Sequence, residues 1–397
     1  METLYKYQNQ LVAATDFLFR RDLIDQIDWN ERLTGLVGPR GVGKTTCLLQ
    51  FLSEQKFPGK SSLYVTLDNL ANPYTSLTEL AEQFHQQGGK QLIIDEIHKY
   101  PKWAVELKNI YDLFPGLKVV FSGSSILQLH TGGTDLSRRA VIYHLNGLSF
   151  REYLQIAIKS EFPVFGLDEI VEDHEKIGLA LCKKFKPFEY FRDYLNFGYF
   201  PFFLQSVNSY HLKLQGVINF IIENEIPVIS NIDIRNIQKI KKVLQIIAVN
   251  VPFQPNITKL SETLEMNRNT LLQYLTFLER TGVIISLYHT GSFYGKLTKP
   301  GKILLSHPNL AFALATGEVN QGSIRESFFV NQLIVHHKIE LAEKGDFIAD
   351  DKLVFEVGGK GKTRKQIAGR KNSYLVMDDI EQGFENKIPL WLFGFLY

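Results

Sequence analysis

The chain has 397 residues, enough for roughly two to four domains, with 45% hydrophobic and 22% charged residues. This composition excludes a disordered chain and predicts globular domains with sizeable cores. A formal net charge of +2 favours no class of partner. The two cysteines, Cys47 and Cys182, exclude a disulfide framework or a zinc cluster and fit a reducing compartment. Because the sequence shows no signal-peptide core and no bilayer-spanning apolar run, we expect a cytoplasmic protein with no membrane partner.

Residues 1–32 have the spacing of a helical lead-in, and residues 33–150 alternate between strand-like and helical segments. The strand-like runs are short and apolar, and they lie at Leu33–Val37, Ser62–Leu67, Leu92–Ile94, Lys118–Phe121 and Val141–Leu145. Segments with helical spacing separate them, such as Ser76–Gln87 and Trp103–Phe114. This alternation predicts an α/β fold, in which a parallel sheet is covered by helices on both faces.

A glycine-rich stretch, Gly38–Thr46, follows the first predicted strand and fits the phosphate-loop pattern G-x-x-x-x-G-K-[ST]. Its glycines let backbone N–H groups point at phosphate oxygens, and the following helix adds its dipole to anion binding. Lys44 is placed to reach the β- and γ-phosphates, and the Thr45 hydroxyl can ligate Mg²⁺. ATP and Mg²⁺ are thus the predicted ligands, and the binding residues are Gly38, Pro39, Arg40, Gly41, Val42, Gly43, Lys44, Thr45 and Thr46. The alternative is an ordinary turn between a strand and a helix.

Two adjacent acids, Asp95 and Glu96, end the predicted strand Leu92–Ile94. Asp95 would hold Mg²⁺ through water or beside Thr45, and Glu96 would polarise the water that attacks the γ-phosphate. The alternative is a pair of carboxylates at a strand-end turn. Their order after the phosphate loop favours the catalytic interpretation.

Two further places downstream fit the same chemistry. Ser122, in the hydroxyl-rich stretch Ser122–Ser125, would point at the γ-phosphate or the attacking water; alternatively this stretch caps the next helix. Arg139, after Arg138, could stabilise the charge of the transition state, either in its own chain or from a neighbouring one. A surface salt bridge is the alternative for this arginine.

Residues 151–235 are rich in aromatic residues and predict a helical lid or linker. The run Phe188–Phe203 contains nine phenylalanine and tyrosine residues. Such a run could form a base-stacking platform. Because few basic residues interleave it, packing in a core is the favoured interpretation.

Residues 236–310 predict a winged helix-turn-helix. Two helices, at Asn256–Leu264 and Arg268–Thr281, precede a strand at Val283–Leu287 and a return strand through Lys296–Thr298. On the second helix, the candidates for DNA contact are Arg268, Asn269, Thr270, Gln273 and Tyr274. A helical protein–protein module is the alternative, since the patch is only mildly basic.

Residues 320–397 predict a final α/β domain. It comprises a helix at Ile324–His336, paired strands at Asp346–Asp350 and Lys352–Val357, and a buried C-terminal strand at Ile388–Tyr397. The glycine-rich loop that follows the paired strands is a second candidate nucleic-acid contact, through Lys360, Lys362, Arg364 and Lys365.

The chain resembles bacterial and archaeal AAA-type ATPases of the STAND-related group that carry a winged helix and a restriction-endonuclease-like (PD-(D/E)xK-like) domain. The motifs that carry this resemblance are Gly38–Thr45, Asp95–Trp103, Ser122–Ser125, Arg139 with Tyr143, and Leu148–Tyr153. It implies Walker A, Walker B, sensor-1 and arginine-finger roles for the first four of these. It also implies that the sensor strand lies between the phosphate-loop strand and the Walker B strand.

The C-terminal domain departs from the family pattern at one position. The nuclease-like module pairs an early Glu and an Asp with Glu-x-Lys, where the acids bind Mg²⁺ and the lysine helps to activate water. This chain has Glu326, Asp346 and Glu356, but Gly358 takes the place of the lysine. Lys360 or Lys362 could substitute from the loop. We expect a degenerate module that does not cut, with an active nuclease as the alternative.

These observations predict an ATPase that couples its nucleotide state to rearrangement of the winged helix and the nuclease-like domain. DNA is a candidate partner for this rearrangement. The alternatives are an ATP-dependent nuclease, and a nucleotide-gated switch with negligible turnover that binds DNA or a protein. The sequence leaves the oligomeric state open.

Overall fold

The computed structural model describes residues 1–54, 60–68, 76–124, 136–227, 234–250, 253–291, 299–315, 317–359, 361–362, 367 and 369–397. The chain forms two compact units, Met1–Gly147 and Leu148–Tyr397. Across the described ranges, no helix is both long enough and apolar enough to cross a bilayer.

The first unit is built on a five-stranded sheet in which all neighbouring strands are parallel. Its strands are β1 (Leu33–Gly38), β2 (Ser62–Thr66), β3 (Gln91–Asp95), β4 (Lys118–Ser124) and β5 (Val141–His144). The strand order is β2-β3-β4-β1-β5. This confirms the predicted α/β sheet, including the sensor strand β4 between β1 and β3.

The helices of this unit among the described residues are α1 (Glu2–Ala14), α2 (Leu23–Gln26), α3 (Lys44–Glu54), α4 (Leu77–Gln86) and α5 (Trp103–Leu113). A 3₁₀ turn, Ile97–Lys99, follows β3. Apolar side chains of α4 and α5 pack with those of alternate strand positions in one core. Helix α3 contacts β1, β2 and β4 and buries its own apolar stripe. These contacts explain why strands in the middle of the sheet are apolar at nearly every position.

Helix α1 runs along the edge strand β2. The Gln8 side chain accepts a hydrogen bond from the Tyr64 backbone N–H at 2.7 Å, and the Tyr5 hydroxyl donates to the Lys60 carbonyl. These contacts satisfy backbone groups that an exposed edge strand would leave open. The N-terminal segment therefore belongs structurally to the first unit.

The second unit begins with helices and short irregular turns. Its helices up to residue 220 are α6 (Phe150–Ile158), α7 (Leu167–Cys182), α8 (Pro187–Asp193) and α9 (Tyr210–Phe220). Two π-helical turns, Tyr194–Gly198 and Ile221–Glu225, follow α8 and α9, and a 3₁₀ turn lies at Pro201–Leu204. A capping box between Ser149 and Glu152 starts α6.

Aromatic rings from distant segments form one core in this unit. Phe150 packs against Phe191, Tyr194 and Phe395, and Phe191 packs against Phe328. Ring centroids in these pairs lie 4.9 to 6.1 Å apart. Core packing is therefore the role of these members of the aromatic run, since their rings are enclosed by other rings and not presented to solvent.

The segment predicted as a winged helix contains α10 (Ile234–Val249), α11 (Ile257–Thr263), α12 (Arg268–Arg280), β6 (Ile284–Leu287) and β7 (Lys302–Leu305). Asn256 and Asn267 cap α11 and α12 with their side chains. Strands β6 and β7 are antiparallel. The return strand is thus Lys302–Leu305, and the predicted return at 296–298 lies outside the described residues.

Helices α13 (Pro308–Leu314) and α14 (Gln321–Leu333) lead into a mixed sheet. Its strands are β8 (Ile339–Leu341), β9 (Phe347–Ala349), β10 (Leu353–Gly358), β11 (Ser373–Met377) and β12 (Lys387–Pro389), in the order β12-β11-β10-β9-β8. The segment after β6 pairs with β8, because the Leu341 N–H donates to the Tyr288 carbonyl at 2.8 Å. The segments predicted as lid, winged helix and nuclease-like domain thus lie in one compact unit, and the boundaries between them stay a prediction.

The prediction of a long C-terminal strand was wrong. Strand β12 ends at Pro389, and residues Leu390–Phe395 form a 3₁₀ helix with every side chain buried. Proline has no N–H group with which to extend a ladder of hydrogen bonds. The side chains of Leu390–Phe395 are all buried, and a 3₁₀ helix buries them without further strand pairing.

Candidate nucleotide-binding site

The phosphate loop joins the carboxyl end of β1 to the first residue of α3, which begins at Lys44. Gly41 and Gly43 have φ angles of 89° and 98°, in the left-handed region that glycine adopts without strain. A Cβ atom at Gly38 would lie 2.1 Å from the Leu145 carbonyl oxygen. The loop therefore needs glycine at these three positions, and it leads into a helix N-terminus, which favours anions.

Lys44 lies back across this loop. Its Nζ donates to the Gly38 carbonyl at 2.9 Å and to the Pro39 carbonyl at 3.1 Å, and the side chain is buried. Thr45 and Thr46 are exposed at the start of α3. The ammonium group and the two hydroxyls thus lie at the same end of the helix, the arrangement that triphosphate binding requires.

Asp95 is the centre of a hydrogen-bond cluster behind the loop. Its Oδ2 accepts hydrogen bonds from the Thr45 and Tyr64 hydroxyls, each at 2.7 Å. Its Oδ1 accepts from the Ser122 hydroxyl and, at 3.1 Å, from the Glu96 N–H. Four segments of the chain therefore meet at this one carboxylate.

Glu96 differs from its neighbour in both backbone and surroundings. Its φ angle is 56°, a left-handed conformation that is uncommon for a residue with a side chain. Its Oε2 lies 3.3 Å from His98 Nε2. Burial raises the pKa of Glu96, and the Lys44 ammonium only partly offsets this effect. A carboxylate with a raised pKa is a stronger base, which suits the activation of water.

Ser122 lies between the two acids. Its hydroxyl donates to Asp95, and its Oγ accepts from the Glu96 N–H at 3.2 Å. Its predicted contact with the γ-phosphate or water stays a prediction. Ser125, the last residue of the predicted hydroxyl-rich stretch, lies outside the described residues.

Mg²⁺ is the metal ion that the phosphate loop implies, and the residues here fit it. The Thr45 hydroxyl and the Asp95 carboxylate are oxygen donors, and they are already hydrogen-bonded to each other at 2.7 Å. Proteins commonly bind Mg²⁺ through one or two such groups together with substrate phosphates. The Thr45 hydroxyl would therefore ligate the ion, and Asp95 would hold it through water or through Thr45.

Arg139 does not approach this cluster. Its guanidinium forms an ion pair with Asp112 on α5, with 3.1 Å between Nε and Oδ1, and lies 5.9 Å from the centre of the Tyr111 ring. These contacts match the salt-bridge alternative for this arginine.

The register of the sheet explains the separation. Val141, two residues after Arg139, pairs with Thr34 near the start of β1, whereas His144 pairs with Val37 beside the phosphate loop. Three residues of strand span about 10 Å. Arg139 therefore lies near the amino ends of the strands, whereas its own phosphate loop follows the carboxyl end of β1. Its role as an arginine finger in a neighbouring chain stays a prediction.

Three residues at the site were missed in the sequence. Tyr64 binds Asp95, and His98 lies beside Glu96. Arg21 donates to the Val42 carbonyl at 3.2 Å and to the Asn146 carbonyl at 2.9 Å, so it ties the loop to the segment after β5. The available signal for Tyr64 was an aromatic hydroxyl between the aliphatic residues Leu63 and Val65 of β2.

The predicted DNA-contacting helix α12 has one exposed stripe. Arg268, Asn269 and Gln273 are exposed, and Arg280 continues the same face. Tyr274 is only 2% exposed, so its predicted groove contact was wrong. The exposed residues recur at helical spacing opposite the apolar face, and this leaves them accessible to a partner.

A second cluster of charges lies in the C-terminal sheet. Lys362 Nζ is 2.9 Å from Glu356 Oε1 and 3.3 Å from Asp346 Oδ2. Lys302 of β7 lies 2.9 Å from Glu326 Oε2 on α14. Burial raises the pKa of both glutamates, and the two lysines oppose the shift. The three predicted acids are thus gathered, and each is paired with an ammonium group.

Of the two lysines that could substitute for the missing one, Lys362 lies beside Glu356 and Asp346. Its aliphatic carbons pass over Gly358, where a Cβ atom would lie 2.6 Å from Lys362 Cγ. A side chain at position 358 would displace it. The other basic residues predicted for this loop, Lys360, Arg364 and Lys365, lie outside the described residues.

The Mg²⁺ that a nuclease-like domain implies does not fit this cluster. Asp346 Oδ2 already accepts from the Val357 N–H at 2.8 Å and from Lys362, and Glu356 is fully buried against the same ammonium. In the part of the chain that the structure describes, no group of three or more acidic, histidine or cysteine side chains is arranged to hold a metal ion. The ammonium groups take the role that a cation would have.

Comparison with known proteins identifies the first unit. The family model described as "AAA domain" matches residues 30–154, and a model for a domain of unknown function matches residues 188–318. An uncharacterized protein of Methanocaldococcus jannaschii is 27% identical over 386 residues, which cover 89% of this chain and 81% of that protein. Residues 30–154 are accordingly similar to AAA-type P-loop ATPase domains.

Two solved structures match this chain at low similarity. The Orc1 protein of Aeropyrum pernix, in complex with DNA, is 13% identical, with 77% of this chain and 90% of that chain covered and a TM-score of 0.33. DnaA from Aquifex aeolicus, bound to AMPPCP, is 13% identical, with 70% and 88% covered and a TM-score of 0.25.

Proposed function

We propose that the AAA-type P-loop domain binds and hydrolyses ATP and that its nucleotide state controls the arrangement of the second unit. One observation carries the proposal: the Asp95 carboxylate joins Thr45 of the phosphate loop to Ser122 and the Glu96 backbone. A loop that only binds phosphate does not require this second layer of acids. Hydrolysis does, because it needs a placed base as well as bound phosphates.

The residues divide the chemistry between them. Lys44 and the loop N–H groups bind the phosphates, and Thr45 and Asp95 hold Mg²⁺, which neutralises phosphate charge when bound. Glu96 accepts a proton from the water whose oxygen forms a bond to the γ-phosphorus. The bond between that phosphorus and the oxygen of ADP breaks, and ADP and phosphate leave. Ser122 keeps the backbone of Glu96 in place.

The proposal is tested by phosphate release and nucleotide affinity of the purified full chain with Mg²⁺. Lys44→Ala should lose both binding and turnover. Glu96→Gln should bind ATP with nearly unchanged affinity and lose turnover by about 10²–10⁴-fold, the usual contribution of a general base. Unchanged turnover in Glu96→Gln would exclude this glutamate as the base, and wild-type protein that binds ATP without turnover would leave a nucleotide-gated switch.

A second candidate function is DNA binding by the helix-turn-helix. The observation in its favour is the exposed polar stripe on α12, with Arg268, Asn269 and Gln273. Placed in a major groove, these side chains have the donors and acceptors that read base edges. A protein partner on the same stripe is the alternative, and the ion pairs of the C-terminal cluster disfavour an active nuclease.

A further inference from the structure

The Tyr64 side chain completes the set of donors around Asp95. Tyr64 is 1% exposed on β2, and its hydroxyl donates to Asp95 Oδ2 at 2.7 Å. The Thr45 hydroxyl donates to the same oxygen, also at 2.7 Å. A strand that contributes no residue to the phosphate loop thus reaches the group that would hold the metal ion.

The four donors match the capacity of the carboxylate. An ionised carboxylate has about four lone-pair sites on its two oxygens. Each Asp95 oxygen accepts two hydrogen bonds, from Thr45 and Tyr64 on one side and from Ser122 and the Glu96 N–H on the other. The orientation of the carboxylate is therefore determined from both ends, and the loss of one donor leaves one oxygen less constrained.

Tyr64 is well suited to act as a permanent donor. A phenol keeps its proton at neutral pH, and the Tyr64 hydroxyl donates a hydrogen bond to Asp95 Oδ2. Its backbone is held as well, since the Tyr64 N–H donates to Gln8 Oε1 at 2.7 Å.

We propose that Tyr64 is a positioning residue for Mg²⁺: its hydroxyl holds the Asp95 carboxylate in the orientation that presents Thr45 to the metal–nucleotide complex. The Thr45 hydroxyl has one hydrogen and two lone pairs. When the hydrogen is directed at Asp95, the lone pairs are left for the ion. Tyr64 thus acts on the metal through Asp95, as outer-sphere partners of metal ligands do. This inference rests on the proposed function, since Mg²⁺ with ATP is the ligand concerned.

The test is a Mg²⁺ titration of nucleotide binding, with a fluorescent ATP analogue and the full chain. Tyr64→Phe removes only the hydroxyl, and the Mg²⁺ concentration for half-maximal enhancement of binding should rise by about tenfold. Binding of the analogue without Mg²⁺ should stay at the wild-type level. Tyr5→Phe is the matched control, because the Tyr5 hydroxyl donates to the Lys60 carbonyl and does not contact Asp95; its titration should overlay that of the wild type.

A double-mutant cycle shows whether Tyr64 acts through Asp95. In an Asp95→Asn background, Tyr64→Phe should add less than a twofold further change, because the two side chains act as one unit. Fully additive effects would overturn the proposal. So would an unchanged Mg²⁺ midpoint in Tyr64→Phe, or a loss of binding without Mg²⁺, since the latter would show a purely structural residue. If the wild type binds ATP with Mg²⁺ but releases no phosphate, the proposed turnover fails while this titration still decides the role of Tyr64.

Discussion

Asp95 and Glu96 are adjacent in the chain, but their carboxyl groups have different surroundings. The Asp95 carboxylate accepts four hydrogen bonds. Burial raises the pKa of Glu96, and its Oε2 lies 3.3 Å from His98 Nε2. Two neighbouring acids with unlike environments can take unlike roles. The Asp95 carboxylate, which accepts four hydrogen bonds, is suited to orient Thr45. The Glu96 carboxylate, whose pKa is raised, is suited to accept a proton.

Lys362 allows a similar argument in the second unit. Lys362→Met removes the ammonium that Glu356 and Asp346 share, and leaves buried carboxylates without that partner. We expect the free energy of unfolding, measured by urea titration, to fall by about 1–3 kcal/mol. Mg²⁺ or Mn²⁺ should neither restore this stability nor support cleavage of DNA.

The matched control is Lys352→Met. Lys352 forms an exposed ion pair with Asp168, in which the two side chains are 60% and 70% exposed. Such pairs contribute on the order of 0.5 kcal/mol or less, so this variant should be nearly neutral. Cleavage that depends on Mg²⁺ and disappears in Glu356→Ala would instead show an active nuclease.

Helix α12 illustrates how one element separates packing from recognition. Leu271, Leu275 and Leu278 are buried and hold the helix on its unit, whereas Arg268 and Gln273 are exposed. The exposed polar side chains therefore do not hold the helix on its unit, and this leaves them accessible to a partner.

We expect this face to bind duplex DNA with affinity that falls as salt concentration rises. Arg268→Ala and Gln273→Ala should each weaken binding to a preferred sequence by about 1–3 kcal/mol if the residue contacts a base, and should relax preference at one position. Fluorescence anisotropy with a set of duplexes measures both effects. Arg192→Ala, at an exposed arginine on α8, is the control and should leave preference unchanged. If no duplex binds even at low salt, α12 becomes a candidate protein-binding surface.

The sheet of the first unit separates Arg139 from its own phosphate loop, and this has a consequence for assembly. An arginine at the amino ends of these strands contacts a nucleotide only if that nucleotide is bound to a second chain. The ion pair with Asp112 is then the contact made in a single chain.

If Arg139 acts in a neighbouring chain, ATP turnover per chain should rise with protein concentration. Arg139→Ala should lower turnover by on the order of 10³-fold at high concentration and leave ATP affinity nearly intact, because such an arginine acts on transition-state charge. Steady-state kinetics over a range of protein concentrations measures this. Arg138→Ala, at the adjacent arginine, is the control. Wild-type turnover in Arg139→Ala at every concentration would leave Arg139 a structural residue.

The phosphate loop and the parallel sheet could be read directly from the chain. Gly41, Gly43, Lys44 and Thr45 are contiguous, so the backbone conformation and the functional groups are both specified by one short stretch. Strand and helix periodicity is likewise a local property, and the predicted strands of the parallel sheet differ from the observed ones by only a few terminal residues. The acids of the C-terminal cluster were named from the resemblance to the nuclease-like module.

Contacts between distant segments were decided only by the folded chain. The partners of Asp95 come from positions 45, 64 and 122, and no local pattern links them. Whether Lys362 reaches Glu356 depends on the path of a glycine-rich loop, and the position of Arg139 depends on the register of β5 against β1. The local sequence determines backbone preferences and supplies the functional groups. The distances between side chains follow from packing that involves the whole unit.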